Sequence, residues 1–541
     1  MTATSPPADD GRHGHHRHHR RLQPPGRRTD QGYHATPSFR AASPPEQRTY
    51  DPAKRLKCVV HAPAGYRATL PWPDSKDTVR RGNVRGGHLG NLGTVAGKFI
   101  LFSRPGRSAQ LFRAHVGDMM EVLGKLQKKA GRPMPRQVLD VHGGMGSLAA
   151  VLEERGMQTL VMGGKHKSGD PIQIAAERGF PAVLGVVKDK RAPFPQNAFD
   201  MVHVRGAFQP KWVHQDTNST ARELDRLLRP GGILFDTNKA WRQRAAGHTG
   251  AMEYRRNFLE VTRQMCWKPI MFVDDLNGKI ETGMFRKPPD AAGLGPGCAT
   301  HNEVYDGVCL APESKGIIWN SDIPACYPHQ PLVPYAHGTW PLSLTEGPVR
   351  PPSPSTPPAD YLRELAQGLD DWKAIVRDFH NVFKLGILGE AAEHSILDVH
   401  AGRGSFAAAL ADLKSTAWVM NVVPTAAETD TLPAIFDRGL VGIYHDWCLD
   451  FPAYPRAFDL IHVSSEAIKL NHGCSFGEVL LELDRLLKPH GHALIQSDVH
   501  TVIGLEDVLI HLGWVRFRET MIPYGRQYHV TQHWKKGTDS V

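Results

Sequence analysis

Short apolar runs alternate along this chain with amphipathic stretches of helical period, and the whole alternation occurs twice. QVLDV at 137–141 reads as a buried strand, followed by a Gly-rich turn and the helix-like SLAAVLEERG. TLVMG reads as a second strand, an amphipathic stretch ending in AAERG as a helix, PAVLGVV as a third strand and FDMVHV as a fourth. NSTARELDRLLRPGG predicts a helix that begins at a capping Asn or Ser and stops at Pro-Gly-Gly, and GGILFDT a fifth strand. Further on come SILDVH, SFAAALADL, TAWVMNVV, LVGIYH, FDLIHV, a helix ending at 488, and HALIQSD. Strands separated by helices in this way predict an α/β protein with doubly wound, mainly parallel sheets.

The two runs are copies of one unit. QVLDVH at 137–142 returns as SILDVH at 395–400, FDMVHV at 199–204 as FDLIHV at 458–463, and ELDRLLRPGG at 223–232 as ELDRLLKPHG at 482–491. Asp140 and Asp398 lie 258 residues apart, and Asp200/Asp459 and Asp225/Asp484 each 259. Matches in one order at one offset mark an internal repeat. The expected organisation is a disordered His/Pro-rich basic tail (1–57), a first domain with an N-terminal extension (58–290), a Cys- and Pro-containing connector (291–357) and a second domain (358–541). The tail's HGHHRHHRR at 13–21 reads as a solvated basic segment, with metal or polyanion binding as the alternative.

A length of 541 residues suits two domains with their own cores. The formal charge of +10 favours acidic partners without choosing among nucleic acid, anionic membrane and acidic polysaccharide. No apolar run is long enough for a membrane-spanning helix, and the N-terminus lacks the apolar core of a signal peptide. Seven cysteines are too few to build a scaffold, and Cys266, Cys298, Cys309 and Cys326 cluster mid-chain.

The candidate chemistry lies where the first strand of each copy ends. Asp140 enters a turn containing Gly143, Gly144 and Gly146; Asp398 enters one containing Gly402 and Gly404. A carboxylate followed by a glycine turn before a helix suits a cofactor crevice at the strand C-termini, because bare glycine backbone admits close approach. The alternative is a tight connection without function. No metal-ligand set is assigned.

KRAPFPQNAFDMVHV at 190–204, followed by ELDRLLRPGG, resembles the layout of class I S-adenosylmethionine-dependent methyltransferases. WVMNVVPTAAETDTLPAIFDRGLVGIYHDWC at 418–448 narrows this, with LPWPDSKDTVRRGNV at 70–84, AERGFPAV at 176–183 and MCW at 265–267. Together these resemble the plant methyltransferase family associated with homogalacturonan (pectin) methylation, over about 58–541. The resemblance implies two tandem Rossmann-type domains, S-adenosylmethionine as cofactor, and carboxyl groups of an acidic cell-wall polysaccharide as acceptor. It also implies a Golgi or endomembrane location, which the absence of an anchor in this chain does not support, and disulfides among the connector cysteines. Asn218-Ser219-Thr220 would be a glycosylation acceptor in a luminal protein.

Further site expectations follow. Asn421, placed at the end of the second strand of copy two, is expected on ribose hydroxyls. Asp446, just after the third strand, is expected on the adenine amino group, with Trp447 packing nearby. His203, Arg205 and Lys211 follow the fourth strand of copy one and are the catalytic candidates. Departures from the family pattern include GGKHKSGD at 163–170 in place of an acidic stretch. They keep open an alternative: a degenerate, non-catalytic member that binds polysaccharide or acts as a partner subunit. Association with itself or with related methyltransferases is a further expectation. A nucleic-acid substrate is disfavoured, since no aromatic-interleaved basic groove is evident.

Overall fold

The computed structural model describes residues 77–80, 93–102, 107–164, 171–187, 190–205, 217–238, 259–260, 262–263, 265–274, 281–288, 358–388, 395–470, 473–524 and 527–537. The expected tail, the connector with Cys298, Cys309 and Cys326, the segment 165–170 and Lys211 lie outside the described residues. A small antiparallel sheet joins β1 (Thr78–Arg80), β2 (Thr94–Ala96) and β3 (Phe99–Leu101) in the order β1-β3-β2.

A first seven-stranded sheet contains β4 (Gln137–Val141), β5 (Gln158–Gly163), β6 (Ala182–Leu184), β7 (Phe199–Val204), β8 (Leu228–Asn238), β9 (Lys268–Asp274) and β10 (Glu281–Arg286). A second contains β11 (Ser395–Asp398), β12 (Trp418–Pro424), β13 (Gly442–His445), β14 (Phe458–Val463), β15 (Leu487–Ser497), β16 (Trp514–Tyr524) and β17 (Gln527–Lys536). Their orders, β6-β5-β4-β7-β8-β10-β9 and β13-β12-β11-β14-β15-β17-β16, are the same. In each, five strands run parallel and the last two pair antiparallel. The order reverses between β4 and β7, and between β11 and β14. Ligands of open α/β sheets bind outside the strand ends at such a switch point.

The central strands β4 and β7 are buried at every position. Parallel strands covered on both faces need apolar side chains on both, which explains why these runs do not alternate. Two boundaries differ from expectation. The helices stop at Leu227 and Leu486, and the next strands start at Leu228 and Leu487, before the proline-containing turns. Pro230 and Pro489 disfavour helical conformation in the residue before them, so the chain turns extended early.

The repeated ELDRLL segment is buried machinery rather than a solvated helix face. Glu223 accepts a hydrogen bond from the Ala192 amide at 2.6 Å, and Arg226 donates to the Phe194 and Ala192 carbonyls at 2.8 and 3.3 Å. Glu482 likewise accepts from the Phe451 amide at 2.6 Å, and Arg485 donates to the Ala453 and Phe451 carbonyls at 2.9 and 3.0 Å. Each Glu–Arg pair thus clamps the loop that leads into β7 or β14. The Asp of the motif anchors the last strands: Asp225 accepts from Trp267 Nε1 at 3.0 Å and Asp484 from Trp514 Nε1 at 2.8 Å. Burial pushes the Glu482 carboxyl up to about 7 against the pull of Arg485.

The halves share one apolar core, in which Phe436 packs edge-on against Phe199 and Phe194, ring centroids 5.1 and 6.4 Å apart. The Leu184 amide donates to the Pro452 carbonyl at 2.7 Å, and the Tyr444 amide to the Pro193 carbonyl at 3.0 Å. Leu184 and Tyr444 are equivalent in the repeat, as are Pro193 and Pro452. The halves therefore meet as an isologous dimer does, each presenting the same patch to the other.

Breaking one clamp should show its weight. Arg485→Met leaves Glu482 buried without its cation, a loss expected to cost about 3–5 kcal/mol. Thermal unfolding should show a large drop in Tm, and Glu482→Gln combined with Arg485→Met should recover part of it. A single variant with unchanged Tm would mean that other contacts hold the loop.

Candidate functional site

The two Gly-rich turns open at the switch points and have nearly the same backbone. Gly144 and Gly146 have φ of +59° and +71°; Gly402 and Gly404 have +51° and +72°. These left-handed values favour glycine. A Cβ on Gly143 would stand 2.5 Å from Asp140 Oδ2, and one on Gly146 2.6 Å from the Phe180 ring, so neither position accepts a side chain. At Gly144 and Gly402 a Cβ would meet nothing within 4 Å. There the turn offers bare backbone to open space.

An arginine from the following strand–helix unit fixes each turn. Arg178 Nη1 donates to the Met145 carbonyl at 2.7 Å, and Arg438 Nη1 to the Arg403 carbonyl at 2.8 Å. Burial lowers the Arg178 guanidinium to about 10, with Asp77 opposing the shift. The Arg-Gly dipeptides of AERG and FDRG therefore belong to the site. Sequence reasoning used them only as matches to the family.

Beneath each turn lies a buried Asp–His pair. Asp140 stands opposite His203 in the β4–β7 register, and Asp398 opposite His462 in β11–β14. His203 Nδ1 is 2.5 Å from Asp140 Oδ1, and its Nε2 is 2.8 Å from Thr237 Oγ1. His462 Nδ1 is 2.9 Å from Asp398 Oδ1, and its Nε2 is 3.0 Å from Gln496 Oε1. Gln496 donates its amide to Thr531 Oγ1 at 3.0 Å, which orients Oε1 toward the ring. With the amide so turned, both neighbours of His462 present oxygens that can accept, an arrangement that favours the protonated ring. Burial alone would lower its pKa, but the charge and hydrogen bond of Asp398, aided by Gln496, raise it overall.

The sequence candidates sort as follows. Asp140, Gly143, Gly144 and Gly146 come together in the first turn, and Asp398, Gly402 and Gly404 in the second. His203 is 3% exposed with both nitrogens engaged. It lies within β7 as the fixed partner of Asp140, which corrects its expected place after the fourth strand. Arg205 is exposed at the end of β7. Asn421 corrects another expectation: it is the fourth of the seven residues of β12, fully buried, and donates to the Val441 carbonyl at 2.7 Å. Its position tucks it under the turn, where its Oδ1 would lie 3.7 Å from a Cβ on Gly404. Asp446 follows β13 directly and accepts from the Cys448 amide at 3.0 Å. Trp447 is buried, and its Nε1 donates to the Val399 carbonyl at 3.0 Å, joining the HDWC segment to the glycine turn.

Cys448 is disulfide-bonded to Cys474, tying the loop after β13 to the loop before the helix Phe476–Leu486. That pairing lies outside the mid-chain group in which disulfides are expected; of that group, Cys266 is disulfide-bonded. His462 was missed as well. Its signal was available, since FDLIHV repeats FDMVHV with the histidine in register.

The residues present fit a nucleotide-type cofactor. Asp140 Oδ2 and Asn421 Oδ1 are buried with no hydrogen-bond partner among the described residues. Asp140 Oδ2 lies against Gly143 and Asn421 Oδ1 near Gly404, in the same turns that offer the bare backbones of Gly144 and Gly402. The fold and these crevices define an α/β protein built to hold such a cofactor at a sheet switch point.

The chain belongs to the family described as "Putative S-adenosyl-L-methionine-dependent methyltransferase", which matches residues 27–530. It is 31% identical over 479 residues to "Probable methyltransferase PMT22" of Arabidopsis thaliana, covering 86% of this chain and 74% of that one. It is 30% identical to "Probable methyltransferase PMT26" of the same plant, over 84% of this chain and 55% of the relative. The chain thus spans about half the length of some curated relatives that it matches. Among solved structures, a SAM-dependent methyltransferase from Aquifex aeolicus is 18% identical, over 28% of this chain and 81% of that one, with a TM-score of 0.22. The family is one of methyltransferases, and its cofactor is S-adenosylmethionine. No helix among the described residues is long and apolar enough to cross a membrane.

The raised pKa of His462 makes a pH prediction. A histidine whose folded pKa is raised stabilises the fold fully below its unfolded pKa of about 6.5, and the contribution is lost as pH rises through the folded value. Denaturant unfolding should therefore show stability falling with alkalinity above neutral pH, and His462→Gln should flatten that slope. An unchanged slope in the variant would assign the dependence elsewhere.

Proposed function

We propose that the two halves are tandem class I methyltransferase-type domains, and that the chain methylates carboxyl groups of an acidic cell-wall polysaccharide such as pectin. The observation that carries the acceptor class is the commitment of both histidines. His203 and His462 each engage both ring nitrogens inside the sheet, so neither serves as a general base at the crevice. A uronate carboxylate is already ionised near neutral pH and requires none. The formal charge of +10 also favours a polyanionic acceptor.

S-adenosylmethionine, when bound, supplies an electrophilic methyl group. Residues placed to hold it are the glycine turns at Gly143–Gly144 and Gly402, the Asp140 carboxylate, and Asp446 beyond β13. Arg205, exposed at the end of β7, is the candidate for orienting an acceptor carboxylate. What the protein adds is mainly position: two reactants held together gain rate without proton transfer. The family resemblance supports an endomembrane location and association with related methyltransferases.

Calorimetric titration of S-adenosylmethionine into the whole chain tests this reading, with assay of methyl esters formed on low-ester polygalacturonate. Gly144→Ala and Gly402→Ala are matched probes, because both place a methyl group at a left-handed position facing open space. The one that weakens binding by roughly tenfold or more, about 1.4 kcal/mol, identifies the working half. A folded wild type that binds no cofactor would sink the catalytic reading and leave a polysaccharide-binding or partner subunit.

A further inference from the structure

We infer that Gln137 and Arg229, residues of the first half, are positioning residues for the Gly-rich cofactor turn of the second half. This rests on the proposed function for the identity of the cofactor, but the contacts that motivate it do not.

Arg229 is 2% exposed and serves both halves. Within its own half it pairs through Nη1 with Asp200 and donates from Nε to the Asn197 carbonyl at 3.1 Å. Its Nη2 reaches Gln137 Oε1 at 2.6 Å and, across the boundary, the Phe436 carbonyl at 2.7 Å. Gln137, fully buried, donates from Nε2 to the Leu440 carbonyl at 2.5 Å. Two first-half side chains thus grip both ends of the segment 436–440 in the second half.

That segment governs the second glycine turn. Arg438, between the two gripped carbonyls, donates to the Arg403 carbonyl inside the turn at 2.8 Å. Leu440 Cδ1 and Ile435 Cγ1 would stand 3.0 and 3.2 Å from a Cβ on Gly404, so this segment packs directly on the turn. Its freedom is further limited by a short helix, Leu432–Asp437, that ends at the gripped site. The last carbonyls of a helix lack partners within it, so a donor from outside fixes where the helix ends.

The repeat itself marks these two positions as specialised. Arg229 corresponds to Lys488, and Gln137 to Ser395. Lys488 Nζ pairs with Asp459 Oδ1 at 2.8 Å, and Ser395 Oγ shares its one hydrogen between Asp459 Oδ2 at 2.8 Å and the Ala457 carbonyl at 2.9 Å, all inside the second half. Lysine and serine therefore suffice for the local task of holding the aspartate beside the strand. Arginine and glutamine add reach and a second direction of donation, and in the first half both extra reaches end on the second. Arg and Lys differ in this respect: the guanidinium presents a fork of donors, the ammonium a point.

Replacing each residue by its own counterpart separates the two tasks. Arg229→Lys and Gln137→Ser are made in the full chain carrying Gly144→Ala, chosen to weaken binding at the first turn so that the titration reads the second. Hydrogen–deuterium exchange without ligand, Tm, and calorimetric titration with S-adenosylmethionine are measured. The expected result is a Tm close to that of the parent, faster exchange at amides 401–405 and 436–440, and a Kd for S-adenosylmethionine raised about tenfold. Unchanged exchange at both segments overturns the inference whatever the cofactor does. Faster exchange with unchanged affinity overturns the cofactor role, as does loss of all binding in the Gly144→Ala parent alone. A parent and wild type that bind no cofactor fail the proposed function instead, and exchange then decides whether the grip exists. Unfolding of both variants would make these residues folding elements and refute the positioning role.

Discussion

A carboxylate in the middle of a parallel sheet must find a hydrogen-bond donor or a charge there, and the placement of everything else in each half follows from how Asp140 and Asp398 do so. Each finds the histidine opposite it in register on the next strand. That single pairing joins β4 to β7, or β11 to β14, at the point where the strand order reverses. It holds the Asp under the glycine turn and commits the histidine to the sheet. The crevice therefore has a rigid polar floor. Its chemistry must come from backbone, from loops and from the bound reactants rather than from a mobile imidazole. The halves differ in the far partner: Thr237 Oγ1 can give or accept, whereas Gln496 Oε1 can only accept. The second half therefore favours a charged ring beside Asp398, whose charge and hydrogen bond raise the His462 pKa.

Much of this layout was legible. The strands QVLDV, FDMVHV and their copies are largely apolar on both faces because both faces are covered. Their shortness and the Gly-rich turns that bound them separate them from buried helix, which periodicity alone does not. The repeat was legible because polar residues within it recur at fixed offset, and those are the residues with internal partners. Glu223 and Arg226, or Glu482 and Arg485, clamp a loop about thirty positions earlier in the chain, as their sequence separations show. What could not be read was which partner each polar residue takes. Asp140 and His203 are 63 residues apart, and only the register of two strands brings them together. Asn421 was misplaced for a related reason. Strand β12 runs on to Pro424, so a residue read as a strand end lies inside the sheet with its amide turned to Val441. The Cys448–Cys474 bond joins loops from two different crossovers, and no spacing rule points to it.

The same repeat shows what two copies in one chain can do that two identical subunits cannot. The reciprocal contacts of Leu184 with Pro452 and Tyr444 with Pro193 are those of a symmetric dimer. In a homodimer every contact appears twice, so a residue that helps one site must be tolerated at both. A tandem chain escapes that constraint, since each copy mutates alone. Gln137 and Arg229 differ from Ser395 and Lys488 in longer reach and more donors, and both reaches cross the boundary one way. The shared core of Phe194, Phe199 and Phe436 holds the copies close enough for a side chain to span them. A symmetric interface sets the distance, and two asymmetric side chains use it. This division of labour gives one half a second task, as a brace for the other.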